Sequence, residues 1–419
     1  MKDTLIRIVN GRLIDPHNGI DKNTDVYVAN GCVAAFGQPP SGCFSSTRSI
    51  DAQGCIVAPG LVDLSARLGC VETELAAAAA GGVTTLACPP DTQPVLDEAG
   101  PVERLVRRSE IAGLAHVFPL GALTQALAGE KLAELATLHQ AGCIAFSQAQ
   151  RPLVDTQVLL RAMQYAASFG LTLHLQPQDY YLARNGVAHD GETAARLGLA
   201  GIPVSAETVA VATFLQLARD TGVRLHLSRI SSAAGMALIN TARRERLAVT
   251  CDIACHHLHL CDEDIGYFDS RARFTPPLRT HADREALRKA AAEGMAVICS
   301  DHTPLGADDK QLPFAEACPG ATALELLLPL TLRWAKECGV PLIDALARIT
   351  CAPAEILGIP AGTLTLGAPA DVCIFNPEAA WDVTGDTLVS QGKNTPFADS
   401  KMHGKVKATL VGGRLVFGA

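Results

Sequence analysis

The densest run of side chains able to do metal chemistry is Cys251-Asp252-Ile253-Ala254-Cys255-His256-His257-Leu258-His259-Leu260-Cys261. Thiolates and imidazoles are the ligands zinc prefers. A strand through this run sends alternate side chains to opposite faces, and the paired C-x-x-C spacing of structural zinc sites is missing, so the run is read as an ordinary strand and loop. A second candidate is Asp301-His302 at the end of an apolar stretch. As an acid/base pair it would move protons without a metal. The preferred reading is a buried Asp301 held by hydrogen bonds or by an inserted arginine, because buried charge needs a partner. Ser65 and Arg67 sit two apart after the apolar run Gly60–Leu64 and share one face. A hydroxyl is a poor zinc ligand, and a guanidinium that stays protonated is none. His174 and His226 lie inside apolar stretches and are read as core or supporting residues.

These residues need a scaffold, and the chain is long enough to supply one. It has 419 residues, 48% hydrophobic, enough for one large domain and a smaller one. A net charge of -8 and only 5% aromatic residues leave neither a basic stripe nor stacking platforms for nucleic acid. No run approaches membrane-spanning length. The segment Met1–Arg7 interleaves charge with apolar residues, and the fourteen cysteines are read as reduced thiols, so a cytoplasmic location is expected. From Leu5 to about Cys55, short alternating segments are punctuated by Asn10-Gly11 and Asn30-Gly31, which favour hairpin turns. From about Ile56 to Gly358, apolar strands alternate with helical stretches. Strands are predicted at Gly60–Leu64, Val83–Ala87, Val117–Ala122, Cys143–Phe146, Leu171–Leu175, Arg224–Ile230, Ala248–Ile253 and Met295–Cys299. Helices are predicted at Glu207–Arg219, Asp283–Glu293 and Leu324–Glu337. The alanine run Ala76–Ala80 reads as a helix packed over the strands. Eight such repeats fit an α/β fold with a closed (β/α)8 barrel. Short strands return at Asp371–Phe375, Ala408–Val411 and Arg414–Phe417. The expected domains are 1–56 and 361–419, the two parts of one discontinuous β domain, around a barrel at 57–360.

Ordered segments along nearly the whole chain carry a resemblance. They include Ile8–Pro16, Asp51–Gly54, Gly81–Thr85, Phe274–Arg279, Ser300–Pro304, Gly362–Leu364, Gly367–Asp371 and Asn394–Phe397. Together with Pro59-Gly60 they resemble the longer, aspartate-transcarbamoylase-associated dihydroorotases of the amidohydrolase superfamily. That family implies a TIM-like barrel with a metal-assisted reaction at the C-terminal ends of its strands.

Matched residue by residue, the resemblance implies a lost site. The family's His-x-His is Ser65 and Arg67 here. Its carboxylate-bearing segment after the fourth strand becomes Phe146-Ser147-Gln148-Ala149-Gln150, its histidine after the fifth becomes Gln176, and one after the sixth becomes Arg229. The earlier His226 of that pattern is retained, and of the expected ligands and proton carriers Asp301 alone is kept; the resemblance implies that Arg67 or Arg229 occupies the space vacated by metal and offsets the charge of Asp301. The substrate-binding positions become Gly69, Asp91 and Thr275, and the segment from Gly69 to Gly81 is shorter by roughly two helical turns. The expectation is a protein with no catalytic residues, no bound metal and no cofactor. It would act as the structural or regulatory partner of the aspartate transcarbamoylase catalytic chain, in a mixed hexamer-plus-hexamer assembly serving pyrimidine biosynthesis. The alternative is a divergent cyclic-amide hydrolase with a site rebuilt near Asp301.

Overall fold

The computed structural model describes residues 4–40 and 46–418. Eight parallel strands form its centre: β1 Leu61–Asp63, β2 Val83–Cys88, β3 His116–Ala122, β4 Ala145–Ser147, β5 Thr172–Leu175, β6 Arg224–Leu227, β7 Val249–Ala254 and β8 Val297–Cys299. Each pairs with the next in chain order, as right-handed strand–helix repeats require. The sheet closes at its C-terminal rim, where Ala66 and His302 form a parallel bridge. At the other end β1 and β8 part around the Arg348-Ile349 backbone. The Ile349 carbonyl accepts from Val62 N–H at 2.8 Å and the Arg348 carbonyl from Ile298 N–H at 3.1 Å. The chain is therefore a (β/α)8 barrel carrying additional β sheets from both ends.

Helices cover the barrel with apolar stripes. Val204–Thr221 buries Ala210, Val211, Phe214, Leu215 and Ala218, one face of a helical repeat. The helix Val71–Ala80 carries the alanine run, buries Ala77, Ala78 and Ala79, and accepts a bond from Thr409 Oγ1 on the Ala79 carbonyl at 2.7 Å. Small side chains there let the barrel sit close under the outer sheet. Gly82 has φ +78°, and a Cβ on it would lie 2.4 Å from Cys373 Sγ. The long helical stretch expected from Leu324 begins as one 3-10 turn, Leu324–Leu326, and runs on as Leu327–Cys338.

Two outer sheets share a second core built from Ile6, Ile8, Leu13, Val26, Val57, Val372, Ile374 and Leu410. One has four strands, Thr4–Val9, Val26–Ala29, Cys32–Phe36 and Ser46–Asp51; the other joins Arg12–Asp15, Ile20–Asn23 and Ile56–Pro59 to Val372–Asp382, Lys401–Val411 and Arg414–Phe417. Two details differ from the sequence expectation. Ile56–Pro59 pairs with Val372–Phe375, so the outer sheet extends past residue 56 and the barrel starts at Leu61. Asn30-Gly31 is a two-residue hairpin, whereas Asn10-Gly11 carries the chain from one outer sheet to the other. Gly11 is required by proximity, since a Cβ would lie 2.6 Å from Val57 Cγ2. The thirteen described cysteines are all free thiols. Among the described residues, no helix is long and apolar enough to cross a membrane.

Candidate functional site

The C-terminal ends of β1, β5, β6 and β8 bring Ser65, Gln176, Arg229 and Asp301 together, and Arg67 reaches in from beyond β1. Asp301 is the hub. Its Oδ1 accepts from Arg229 Nη1 at 3.3 Å, from Arg67 Nη1 at 3.4 Å and from Ser65 Oγ at 3.4 Å. Arg229 also donates from Nη1 to Ser65 Oγ at 3.2 Å and from Nη2 to Gln176 Oε1 at 2.6 Å. Arg67 donates from Nε to Asp91 Oδ2 at 3.0 Å and from Nη1 to Thr303 Oγ1 at 3.1 Å. The side chains of Arg229 and Asp301 are only 4% and 3% exposed, so this pair carries the full cost of desolvation and depends on mutual contact. Burial pushes the Asp301 carboxyl above its usual range while Arg229 and Arg67 pull it back. Asp91 and Asp301 hold Arg67 above its ordinary value against its burial.

Local backbone strain aims two of these groups. Arg229 and Asp301 have φ of 58° and 47°, in the left-handed region that non-glycine residues enter at a cost. Asp252 holds the first of these turns: its Oδ1 accepts from Arg229 N–H at 2.6 Å, and its Oδ2 meets His226 Nε2 at 2.8 Å. His226 in turn contacts Thr250 Oγ1 at 2.9 Å through Nδ1, and His174 lies against it with ring centroids 4.4 Å apart. Burial lowers His174 well below the usual imidazole range. His226 thus orients the Arg229 turn through Asp252, a role that its apolar sequence surroundings could not reveal.

The other predicted positions are placed differently. Gln148 turns toward the loop after β3, where its Oε1 accepts from Thr124 Oγ1 at 3.0 Å and its Nε2 donates to the Leu127 carbonyl at 2.9 Å. Thr275 precedes a cis proline and receives Gln150 Nε2 on its carbonyl at 3.4 Å. Gly69 and Asp91 instead line a cleft of about 390 Å3 beside Arg67 and Thr303. His302 points away from Asp301, so the two do not form an acid/base dyad. Its Nδ1 accepts from the Ala323 and Leu324 amides, and its Nε2 donates to Glu74 Oε2 at 2.9 Å. Glu74 then receives Ser390 Oγ at 2.7 Å and Gln391 N–H at 3.0 Å, clamping the C-terminal segment to the barrel.

The Cys251–Cys261 run does not converge either. Cys251 Sγ donates to the Met295 carbonyl and Cys255 Sγ to the Ser300 carbonyl. His256 stacks on Phe274 at 3.9 Å, while His257 and His259 contact the Pro277 and Leu330 carbonyls. Among the described residues no three His, Cys, Asp or Glu side chains gather as a metal cage.

Residues 159–416 match the amidohydrolase family model, and residues 54–234 match the dihydro-orotase-like model. The chain belongs to the amidohydrolase family. Within it the chain is a dihydroorotase-like member: a dihydroorotase-like protein of Pseudomonas aeruginosa is 44% identical over 419 residues, spanning 98% of this chain and 99% of the relative. A dihydroorotase-like protein of Pseudomonas putida is 43% identical, covering 99% of each chain. A dihydroorotase of Syntrophotalea carbinolica is 39% identical, covering 98% of this chain and 99% of its own. In three dimensions the L-hydantoinase (dihydropyrimidinase) of Arthrobacter aurescens has a TM-score of 0.85 at 24% identity, covering 100% of this chain and 96% of its own, a likeness of fold.

The metal that dihydroorotase chemistry implies does not fit the residues present. Its ligands would be drawn from the strand ends that hold Ser65, Arg67, Gln176, Arg229 and Asp301, and Asp301 is the one anionic oxygen donor among these five. Two guanidinium groups already converge on Asp301, so a divalent cation would face two fixed positive charges.

Proposed function

We propose that this chain is a catalytically inactive dihydroorotase homologue, a structural or regulatory subunit of an aspartate transcarbamoylase complex in pyrimidine biosynthesis. The observation that carries the proposal is the double arginine occupation of the barrel mouth. Arg67 and Arg229 put their own charge on Asp301, where metal-assisted chemistry needs an open coordination position and a free carboxylate to carry the proton. The strained turns at Arg229 and Asp301 support descent from a working site, since such conformations persist where the surroundings enforce them. Relatives described as dihydroorotase-like proteins at 44% and 43% identity support the assignment to this branch. A barrel kept intact around a neutralised site is what selection on a partner surface would preserve.

Two measurements test it. The purified chain, with and without added zinc, is assayed for dihydroorotase and hydantoin turnover; none is expected, and turnover abolished by Asp301→Asn would favour the hydrolase reading instead. The double variant Ser65→His/Arg67→His is also expected to be inactive, because Arg229, Gln176 and Gly69 remain and such groups act as a unit. Light scattering of the chain mixed with aspartate transcarbamoylase from the same organism is expected to give one assembly heavier than either component. Separate elution at working concentrations would refute the subunit role.

A further inference from the structure

The N-terminal end of the barrel, opposite Asp301, carries a separate cavity of about 820 Å3, whose wall includes the first residues of four successive strands, Thr172, Arg224, Val249 and Val297. Three arginines line it, Arg224, Arg243 and Arg348, against one carboxylate, Glu355. Among the described residues none of these three arginines is in an ion pair. Arg224 donates from Nη2 to the Gly170 carbonyl and Arg243 from Nη1 to the Met295 carbonyl at 2.5 Å, so both are anchored on the wall with donors left over. Arg348 is half-buried, and its Nε is buried without a partner. Its guanidinium lies against Gly294, where a Cβ would stand 2.9 Å from Nη2 and 3.2 Å from Cζ. Arg243 and Arg348 thus border the same Gly294-Met295 corner. Burial disfavours the charge of Arg348, and exposed Asp344, which does not line the cavity, offsets this only in part. The other titratable groups on the wall, His139 and Cys251, place Nδ1 and Sγ on the Cys143 and Met295 carbonyls.

Charge and surface select the ligand. Three guanidinium groups against the single Glu355 leave a surplus of two positive charges on the wall. A phosphate monoester carries about -1.5 to -2 at neutral pH and has three acceptor oxygens, which suits both the surplus and the forked guanidinium donors; a monocarboxylate supplies one charge. The remaining wall is largely apolar, with Ile144, Leu225, Ile356 and Ile359, and Phe169 adds an aromatic side chain that is 57% exposed. A free phosphate would leave this surface in water, whereas a carbon body would cover it. We propose that the cavity binds an organic phosphate monoester, its phosphoryl oxygens held by Arg243 and Arg348 at the Gly294-Met295 corner and its carbon body covered by Phe169 and the isoleucines. The volume lies within the range of small-metabolite sites. This site is at the other end of the barrel from the arginine cluster on Asp301, and neither it nor the assembly proposed above depends on the other.

The test is calorimetric titration of the full-length chain with phenyl phosphate in a buffer free of other phosphate. Saturable binding is expected, with a dissociation constant below about 1 mM. Phenol, which lacks the phosphate, and inorganic phosphate, which lacks the carbon body, should each bind at least about tenfold more weakly. Arg243→Gln and Arg348→Gln should each weaken phenyl phosphate binding by at least about tenfold, the size of one lost charge-assisted contact. Glu355→Gln changes an exposed position and removes the one opposing charge, so it should tighten binding about two- to fivefold, a gain that damage to the fold does not produce. Arg243→Gln and Glu355→Gln keep the test decisive if Arg348→Gln fails to fold. Absence of saturable binding, equal binding by phenol or by inorganic phosphate, undiminished binding by Arg243→Gln, or no gain in Glu355→Gln would each overturn the inference.

Discussion

Asp301→Asn separates a buried ion-pair hub from a metal ligand in waiting. Asparagine keeps the volume and tolerates the left-handed backbone at φ 47°, so the change removes mainly the charge. Arg229, 4% exposed, would then keep only neutral partners, Ser65 Oγ and Gln176 Oε1. Arg67 would still have Asp91. Breaking a buried pair from one side costs about 3–5 kcal/mol, because the remaining charge is left uncompensated. With 419 residues the unfolding entropy is about 0.9 kcal/mol per K, so the expected fall in Tm is about 3–6 °C. Calorimetry on Asp301→Asn, Arg229→Met and the double variant gives the cycle. Neutralising both partners removes the stranded charge, so the double variant should lose less than the sum of the singles, with a coupling of at least about 1 kcal/mol. A metal-poised carboxylate predicts the opposite sign, since removing an unpaired buried charge stabilises the metal-free protein. A neutral or higher Tm for Asp301→Asn, or strict additivity, would refute the ion-pair reasoning.

Burial holds His257 and His259 down at about 4, and drives His174 and His256 well below the usual 6.5. Unfolded imidazoles take up protons that the native ones refuse, so stability should fall as pH drops from 6.5 toward 4, by up to about 3 kcal/mol for each of His257 and His259. Asp63, raised to about 6 by burial, works in the opposite direction, as do the raised Asp301, Glu325 and His116, against five histidines that burial lowers, His189 being the fifth; a Tm that does not fall over this range would contradict the neutral-histidine core. Glu74→Ala strands His302 Nε2, Ser390 Oγ and Gln391 N–H, and should cost about 3 kcal/mol or more. Limited proteolysis should then cut between Leu388 and Phe397, and unchanged resistance there would show that the clamp is not what holds this segment.

Periodicity and turn chemistry made the eight barrel strands legible because each must bury apolar residues at the spacing of a covered parallel strand. The same reasoning located the Asn30-Gly31 hairpin. It misjudged Asn10-Gly11, because a positive-φ turn looks alike whether it reverses a strand or hands it to another sheet. The resemblance to dihydroorotases placed Ser65, Arg67 and Arg229 at the site; residue type then argued against the first two as metal ligands, and the need to pair buried charge pointed to the arginines for Asp301. The sequence could not show that both arginines share one oxygen of Asp301, because residues 67, 229 and 301 meet only when the barrel closes. Nor could it show that His302 turns outward to Glu74 while Gln148 turns away to Thr124. Side-chain direction at a strand end depends on local φ and on which loop supplies the next donor. Composition and spacing determined the scaffold and the donor types; the tertiary structure alone decided which charges touch, because electrostatic pairing acts over a few ångströms between residues far apart in the chain.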